Sequence, residues 1–333
     1  MVRPALFAAA RSPCCYASTM RPWNTRLSPD LARPLLATLV ATLVVSALGC
    51  QRAAVPPFEW NQAVVTEIEA WRSAHEDSYT HNWATIEGLH FLKEGTQSAG
   101  SAADNDVVLI ASLPEHLGRF TVASDKVTFE PQPAVSITIN GKPAASAMVL
   151  RDDGADEADV VEANGASVVV HRSGKRISLR VKDANGERAR SFQGFDWFPI
   201  SRDHRVLARF IPDATPRDMQ VVNTFGDIDT YQSEGVVEFE LNGEMRSLRP
   251  FTTEPKRFYF VFNDASSGDE TYEAARFLYS DLRQDGTTVL DFNEAYNPPC
   301  SFNPFTTCPI PLPENRLPIK VLAGEKKYRG DKP

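Results

Sequence analysis

The sequence predicts an all-β protein, mainly antiparallel, with one short amphipathic helix near its N-terminus. Eight short runs are rich in β-branched and aromatic residues: 127–129, 135–139, 168–170, 177–181, 206–210, 236–241, 258–262 and 289–292. Between them lie Asn140-Gly141, Ser173-Gly174, Asn185-Gly186, Asn242-Gly243 and Asp285-Gly286, dipeptides that tolerate positive φ and suit tight hairpins. No intervening stretch is helical enough for repeated βαβ units. Meandering hairpins totalling roughly a dozen strands exceed one small sandwich, so the expectation is two β-lobes or one large curled, barrel-like sheet.

In chain order, residues 1–49 read as a secretory signal, with Met20 an alternative start. Arg21, Arg26 and Arg33 precede the 15-residue apolar run 35–49, which is shorter than a bilayer-crossing helix. The ending Ala47-Leu48-Gly49-Cys50 resembles a bacterial lipobox, which implies acylation of Cys50 and a membrane-lipid partner. Stable attachment then needs more than one acyl chain. By resemblance to Gram-negative lipoproteins, Gln51 after the cysteine implies the periplasmic face of the outer membrane if the host has one. Residues 50–57 form the tether. In the segment 58–82, Val64, Ile68, Trp71 and His75 recur at helical spacing, so this helix is expected to cap a β-core with Trp71. The remainder, 83–328, is read as one β-domain.

The chain has 333 residues, 42% hydrophobic and 23% charged, which excludes disordered, collagenous and polytopic membrane classes. Its net charge of −8 disfavours nucleic acid and anionic lipid as electrostatic partners. The signatures of dinucleotide, P-loop, zincin and α/β-hydrolase sites are missing. The six histidines are scattered without metal-ligand spacing, so neither a metal nor a cofactor is expected. Asp152, Asp153, Asp156, Glu157 and Asp159 lack the ligand spacing of an EF-hand and read as a solvated hairpin.

The C-terminal third differs in kind. Seven prolines between 298 and 318 forbid helix and interior strand, so 296–317 is predicted to be one long ordered loop laid across the β-core. Cys300 and Cys308 lie close enough for a disulfide in an exported protein, with a reactive thiol and an underligated metal pair as alternatives. Asp291 and Asn293 are placed on one face at a strand end, and Arg180 shares a strand face with Lys182 beside the turn residue Asp183. With Asp264, Arg276, Tyr296 and Asn297, these side chains form the candidate site for an anionic or polyhydroxyl ligand.

The segments 262–272, 275–279, 290–304, 308–309 and 314–317 resemble the DUF1684 family, as do 83–100, 179–183, 192–199, 223–226 and 323–325. The resemblance spans nearly all of 83–328. It implies a shared fold and a shared site near these residues, and supplies no reaction. The resulting expectation is an exported lipoprotein that binds a small polar or envelope-derived ligand near the proline loop. Two alternatives stand beside it. One is a hydrolase using Asp264 and Asp291, or Cys300; the other is an envelope scaffold docking through an apolar patch.

Overall fold

The computed structural model describes residues 58–330. The expected signal, Cys50 and the tether lie outside the described residues. Helix α1 (Gln62–Asn82) starts four residues later than the segment assigned to it, because the Asn61 side chain accepts from the N–H groups of Ala63 and Val64 and caps it there. Val64 and Ile68 are buried, as the helical spacing predicts.

Two β-lobes follow, and among the described residues no sheet closes into a barrel. The first comprises β1 (Ile86–Phe91), β2 (Gly95–Gly100), β3 (Val107–Val108), β4 (Gly118–Ala123), β5 (Lys126–Pro131), β6 (Thr138–Ile139), β7 (Lys142–Pro143), β8 (Met148–Leu150), β9 (Val160–Ala163), β10 (Ala166–Ser173) and β11 (Arg176–Asp183). A six-stranded sheet, β1-β11-β10-β9-β6-β7, faces a five-stranded one, β3-β2-β4-β5-β8, around a core that includes Phe120, Phe129, Val161 and Leu179. Period-two alternation sends these side chains inward. All pairings are antiparallel except β2 with β3.

The short helix α2 (Glu187–Ser191) leads to the second lobe: β12 (Arg205–Val222), β13 (Ile228–Leu241), β14 (Glu244–Leu248), β15 (Phe251–Glu254), β16 (Arg257–Phe262), β17 (Arg276–Asp281) and β18 (Thr287–Asp291). Here a four-stranded sheet, β14-β13-β12-β18, packs on a three-stranded one, β15-β16-β17. Strand β16 shows why both faces are buried. Phe258, Phe260 and Phe262 point into the core between the sheets, while Tyr259 and Val261 point into a second core built with α1 and the proline loop.

The turn chemistry holds at Asn140-Gly141 and Asn242-Gly243, where both residues of each pair have positive φ. It differs at Asn185-Gly186, where Gly186 is the N-cap of α2 and no hairpin forms. Asn293 also departs from expectation. Asp291 accepts from the Asn293 N–H and ends β18 in a 3-10 turn, Phe292–Glu294, so Asn293 is not on a strand.

Residues 296–317 are ordered, with 3-10 turns at Pro299–Ser301 and Pro313–Asn315. Tyr296, Cys300, Phe302 and Cys308 are themselves core residues, packed against the outer face of β16 and β17. The prolines remove backbone donors, and buried asparagines supply replacements. Asn303 Nδ2 donates to the carbonyls of Trp83 at 3.0 Å and Ile86 at 2.8 Å, tying the loop to the first lobe. Asn315 Nδ2 donates to the carbonyls of Arg249 at 2.8 Å and Val261 at 3.0 Å, tying it to the second. Asn303→Ala removes both hydrogen bonds, although the Trp83 carbonyl keeps the Ile86 N–H, and is expected to cost about 1–3 kcal/mol, read as a lower midpoint in urea unfolding; an unchanged midpoint contradicts the assignment.

Candidate functional site

Most of the predicted site residues are brought together as structural ties and not around one opening. Asp264 and Arg276 form an ion pair, Nη1 to Oδ2 at 2.8 Å, with both side chains fully buried. The same guanidinium donates to the carbonyls of Val321 and Ala323, clamping the C-terminal segment. Asp291 is held by Arg205 and by Asn293, whose amide also exchanges hydrogen bonds with the Ser201 backbone. Asn297 donates through its N–H and its Nδ2 to the two carboxylate oxygens of Glu325, at 2.9 and 2.7 Å. Asp183 accepts from the Asn185 N–H in a turn. These carboxylates and amides bind protein. The mutual partners could not be matched from sequence, because no spacing connects Arg205 to Asp291 or Glu325 to Asn297.

Cys300 and Cys308 meet, with the Cys300 N–H pointing at Cys308 Sγ at 3.4 Å, but neither sulfur is in a disulfide. Burial works against a Cys308 thiolate, yet hydrogen bonding from Cys300 and Thr306 and the nearby Arg180 charge hold its pKa below the usual thiol value.

Arg180, alone of the predicted residues, joins a polar cluster at the junction of the lobes. Its Nη1 donates to Asp153 Oδ2 at 2.6 Å. Both Asp153 oxygens face His171 Nδ1, at 3.0 and 2.9 Å, and His171 Nε2 faces Thr307 Oγ1 at 2.9 Å. Burial opposes the Asp153 charge, but the hydrogen bond to His171 and the charge of Arg180 hold its carboxyl below the usual range. Burial pushes Lys182, on the same strand face as Arg180, downward. Sequence reasoning missed this cluster. The acidic segment read as solvated contains Asp153 and also Asp159, which is buried against Arg151. Residues 153, 171 and 307 carry no spacing signal, since the strand pairing and the loop assemble them.

A second feature lies where α1 crosses the start of the proline loop. Arg72 donates to the carbonyls of Asn293 and Phe198 and covers one face of Trp197 at 4.8 Å from the ring centroid. Gly194, at φ +74°, lets the chain pass beside Glu76, where a Cβ would sit 2.5 Å from its carboxylate. His75 packs between Trp71, Tyr79 and Tyr296, and burial pushes its pKa down to about 3, so it is neutral. Beside this stack opens a cleft of about 440 Å³ lined by Arg72, Ser73, Glu76, Asp77, Thr80 and Trp197. Among the described residues no group of three or more His, Cys, Asp or Glu side chains is arranged to hold a metal ion.

Residues 190–326 match the family described as "Protein of unknown function (DUF1684)". The match covers the second lobe and the proline loop, a narrower span than the resemblance in the sequence. Among solved structures, the chain is similar to an uncharacterized protein of Haloarcula marismortui, at 29% identity and a TM-score of 0.36, over 43% of this chain and 82% of that one. It is also similar to the FhaA FHA domain, in a crystal complex with the intracellular domain of Rv3910, at 14% identity and a TM-score of 0.20, over 28% of this chain and 97% of that one. A third similarity is to Mycobacterium tuberculosis EmbR in complex with a low affinity phosphopeptide, at 15% identity and a TM-score of 0.19, over 37% and 32% of the two chains. No curated protein matches.

Burial pushes the Glu325 carboxyl up to about 8, against the lowering effect of the Asn297 hydrogen bonds and the Arg276 charge. A carboxyl that binds its proton more tightly folded than unfolded loses stability as pH rises from its ordinary value of 4.5 to about 8. Buried His75 contributes the opposite slope below 6.5, equally in parent and variant. The stability of Glu325→Gln relative to the parent is therefore expected to climb across that window. A difference in Tm that is flat with pH contradicts the burial-driven shift.

Proposed function

We propose that the chain is an exported, lipid-anchored envelope protein that binds a small uncharged polyhydroxyl ligand in the cleft between α1 and the segment 195–198. The address rests on the charged, apolar and small-residue order of 21–50 and on Cys50. In that oxidising compartment the adjacent Cys300 and Cys308 sulfurs close to a disulfide. The observation that carries the binding reading is the cleft's composition. An aromatic ring, Trp197, stands beside two carboxylates, Glu76 and Asp77, and the hydroxyls of Ser73 and Thr80.

Each of these groups suits a polyol. Carboxylates accept from ligand hydroxyls, serine and threonine both donate and accept, and an indole covers the apolar face of a sugar ring. An anionic ligand is disfavoured, because Arg72 spends its guanidinium on backbone carbonyls and leaves the two acids to set the local charge. The two-acid hydrolase reading has weaker support. Asp264 and Asp291 are each buried against an arginine, and neither lines this cleft.

Calorimetric titration of the full chain with glucose and maltose tests the proposal. Saturable binding is expected, weakened at least about tenfold, or about 1.4 kcal/mol, by Trp197→Ala. Glu76→Gln is expected to weaken it as well, since the amide donates where the carboxylate accepted. Absence of saturable heat with either sugar, or affinity unchanged in Trp197→Ala, overturns it.

A further inference from the structure

The Asp153–His171–Thr307 chain lies apart from the cleft and plays no part in the binding reading. We propose that it is a nucleophile relay, in which Thr307 Oγ1 attacks short-chain acyl esters. The direction of each hydrogen bond carries the inference. Asp153 Oδ2 accepts from Arg180 Nη1 at 2.6 Å, and as a carboxylate it also accepts from His171, whose Nδ1 then carries the proton between them. In the Nδ1–H tautomer the Nε2 lone pair faces Thr307 Oγ1 at 2.9 Å, and the hydroxyl donates to it. A hydroxyl, a base and a carboxylate that orients the base thus stand in sequence at hydrogen-bond distance.

The surroundings fit the role. His171 is nearly buried, while Asp153 and Thr307 on either side of it are only partly buried, so the hydroxyl end of the relay is reached from solvent. Arg180 Nε, buried in the same cluster, has no hydrogen-bond partner and remains as a spare donor. Thr307 comes from the proline loop of the second lobe, whereas Asp153, His171 and Arg180 come from the first. Asn303 and the exchange between Thr224 and Cys308, N–H to carbonyl at 2.9 Å and N–H to hydroxyl at 3.2 Å, fix the loop on either side of Thr307.

The chemistry balances with water as the co-reactant. Oγ1 bonds to the carbonyl carbon as its proton passes to Nε2. The ester C–O bond breaks, the leaving alcohol takes that proton, and an acyl-threonine remains. Water attacks the acyl carbon and gives a proton to Nε2. The acyl C–Oγ1 bond breaks, the carboxylic acid departs and the proton on Nε2 returns to Oγ1.

Covalent labelling of the full chain with a fluorophosphonate reads the nucleophile directly, because Oγ1 displaces fluoride and leaves a mass adduct. The adduct is expected on the peptide containing Thr307. Thr307→Val, which keeps the shape and removes the hydroxyl, is expected to lose it. His171→Gln is expected to label about 100-fold more slowly, the size of a general-base contribution. Thr307→Ser keeps the hydrogen bond and guards against misfolding of the valine variant; it is expected to label at the parent rate or faster. Release of nitrophenol from p-nitrophenyl acetate should follow the same order. A folded parent that takes no adduct, or Thr307→Val labelled as fast as the parent, overturns the proposal. A role as a clamp between the lobes alone predicts that outcome, with stability lost and no labelling.

Discussion

A buried polypeptide must satisfy its backbone polar groups, and a segment with seven prolines has fewer donors with which to do so. The architecture of the second lobe answers that constraint. Asn293, Asn297, Asn303 and Asn315 are each almost completely buried, and each side-chain amide bonds to groups that a regular strand would have paired through its own N–H. Irregular chain can therefore serve as core. The aromatic rings of Tyr296 and Phe302 are part of that core.

Fixing the loop also fixes what surrounds it. Arg72 reaches from α1 to the carbonyl of Asn293, and Glu325 receives Asn297, so helix, loop and C-terminal segment converge on one point. Gly324 permits that convergence. At φ +76° its missing Cβ would otherwise stand 2.1 Å from the carbonyl of Ala295. The buried Asp264–Arg276 pair continues the arrangement. Its worth lies less in net stability, since burying two charges offsets much of their attraction, than in the single geometry it imposes on Val321 and Ala323. In the middle of the loop the same rigidity brings Thr307 to His171.

The sequence made the local features legible and the long-range partnerships illegible, for a physical reason. Asn-Gly turns, the α1 face and the proline loop are encoded by φ preferences and periodicity within a few residues. Two lobes and one curled sheet both satisfied the same strand pattern, and the pairing, in which no strand of β1–β11 joins a sheet with β12–β18, distinguishes them. Asp264, Asp291 and Asn297 drew attention as polar residues in an unusual segment. Their roles depend on Arg276, Arg205 and Glu325, which no spacing rule connects to them. Asp153 was hidden in an acidic run whose composition suggested solvent. Its pairing with His171 and Arg180 arises because the 150s loop folds back over β10 and β11.

Hydrogen–deuterium exchange of the intact chain, resolved by peptide, tests most directly whether the proline-rich segment is core and not cover. Peptides spanning 296–317 should exchange as slowly as those of β10, β11, β16 and β17, and open with them in one cooperative step. Rapid exchange there, at the rate of exposed turns while the strands stay protected, would contradict the account.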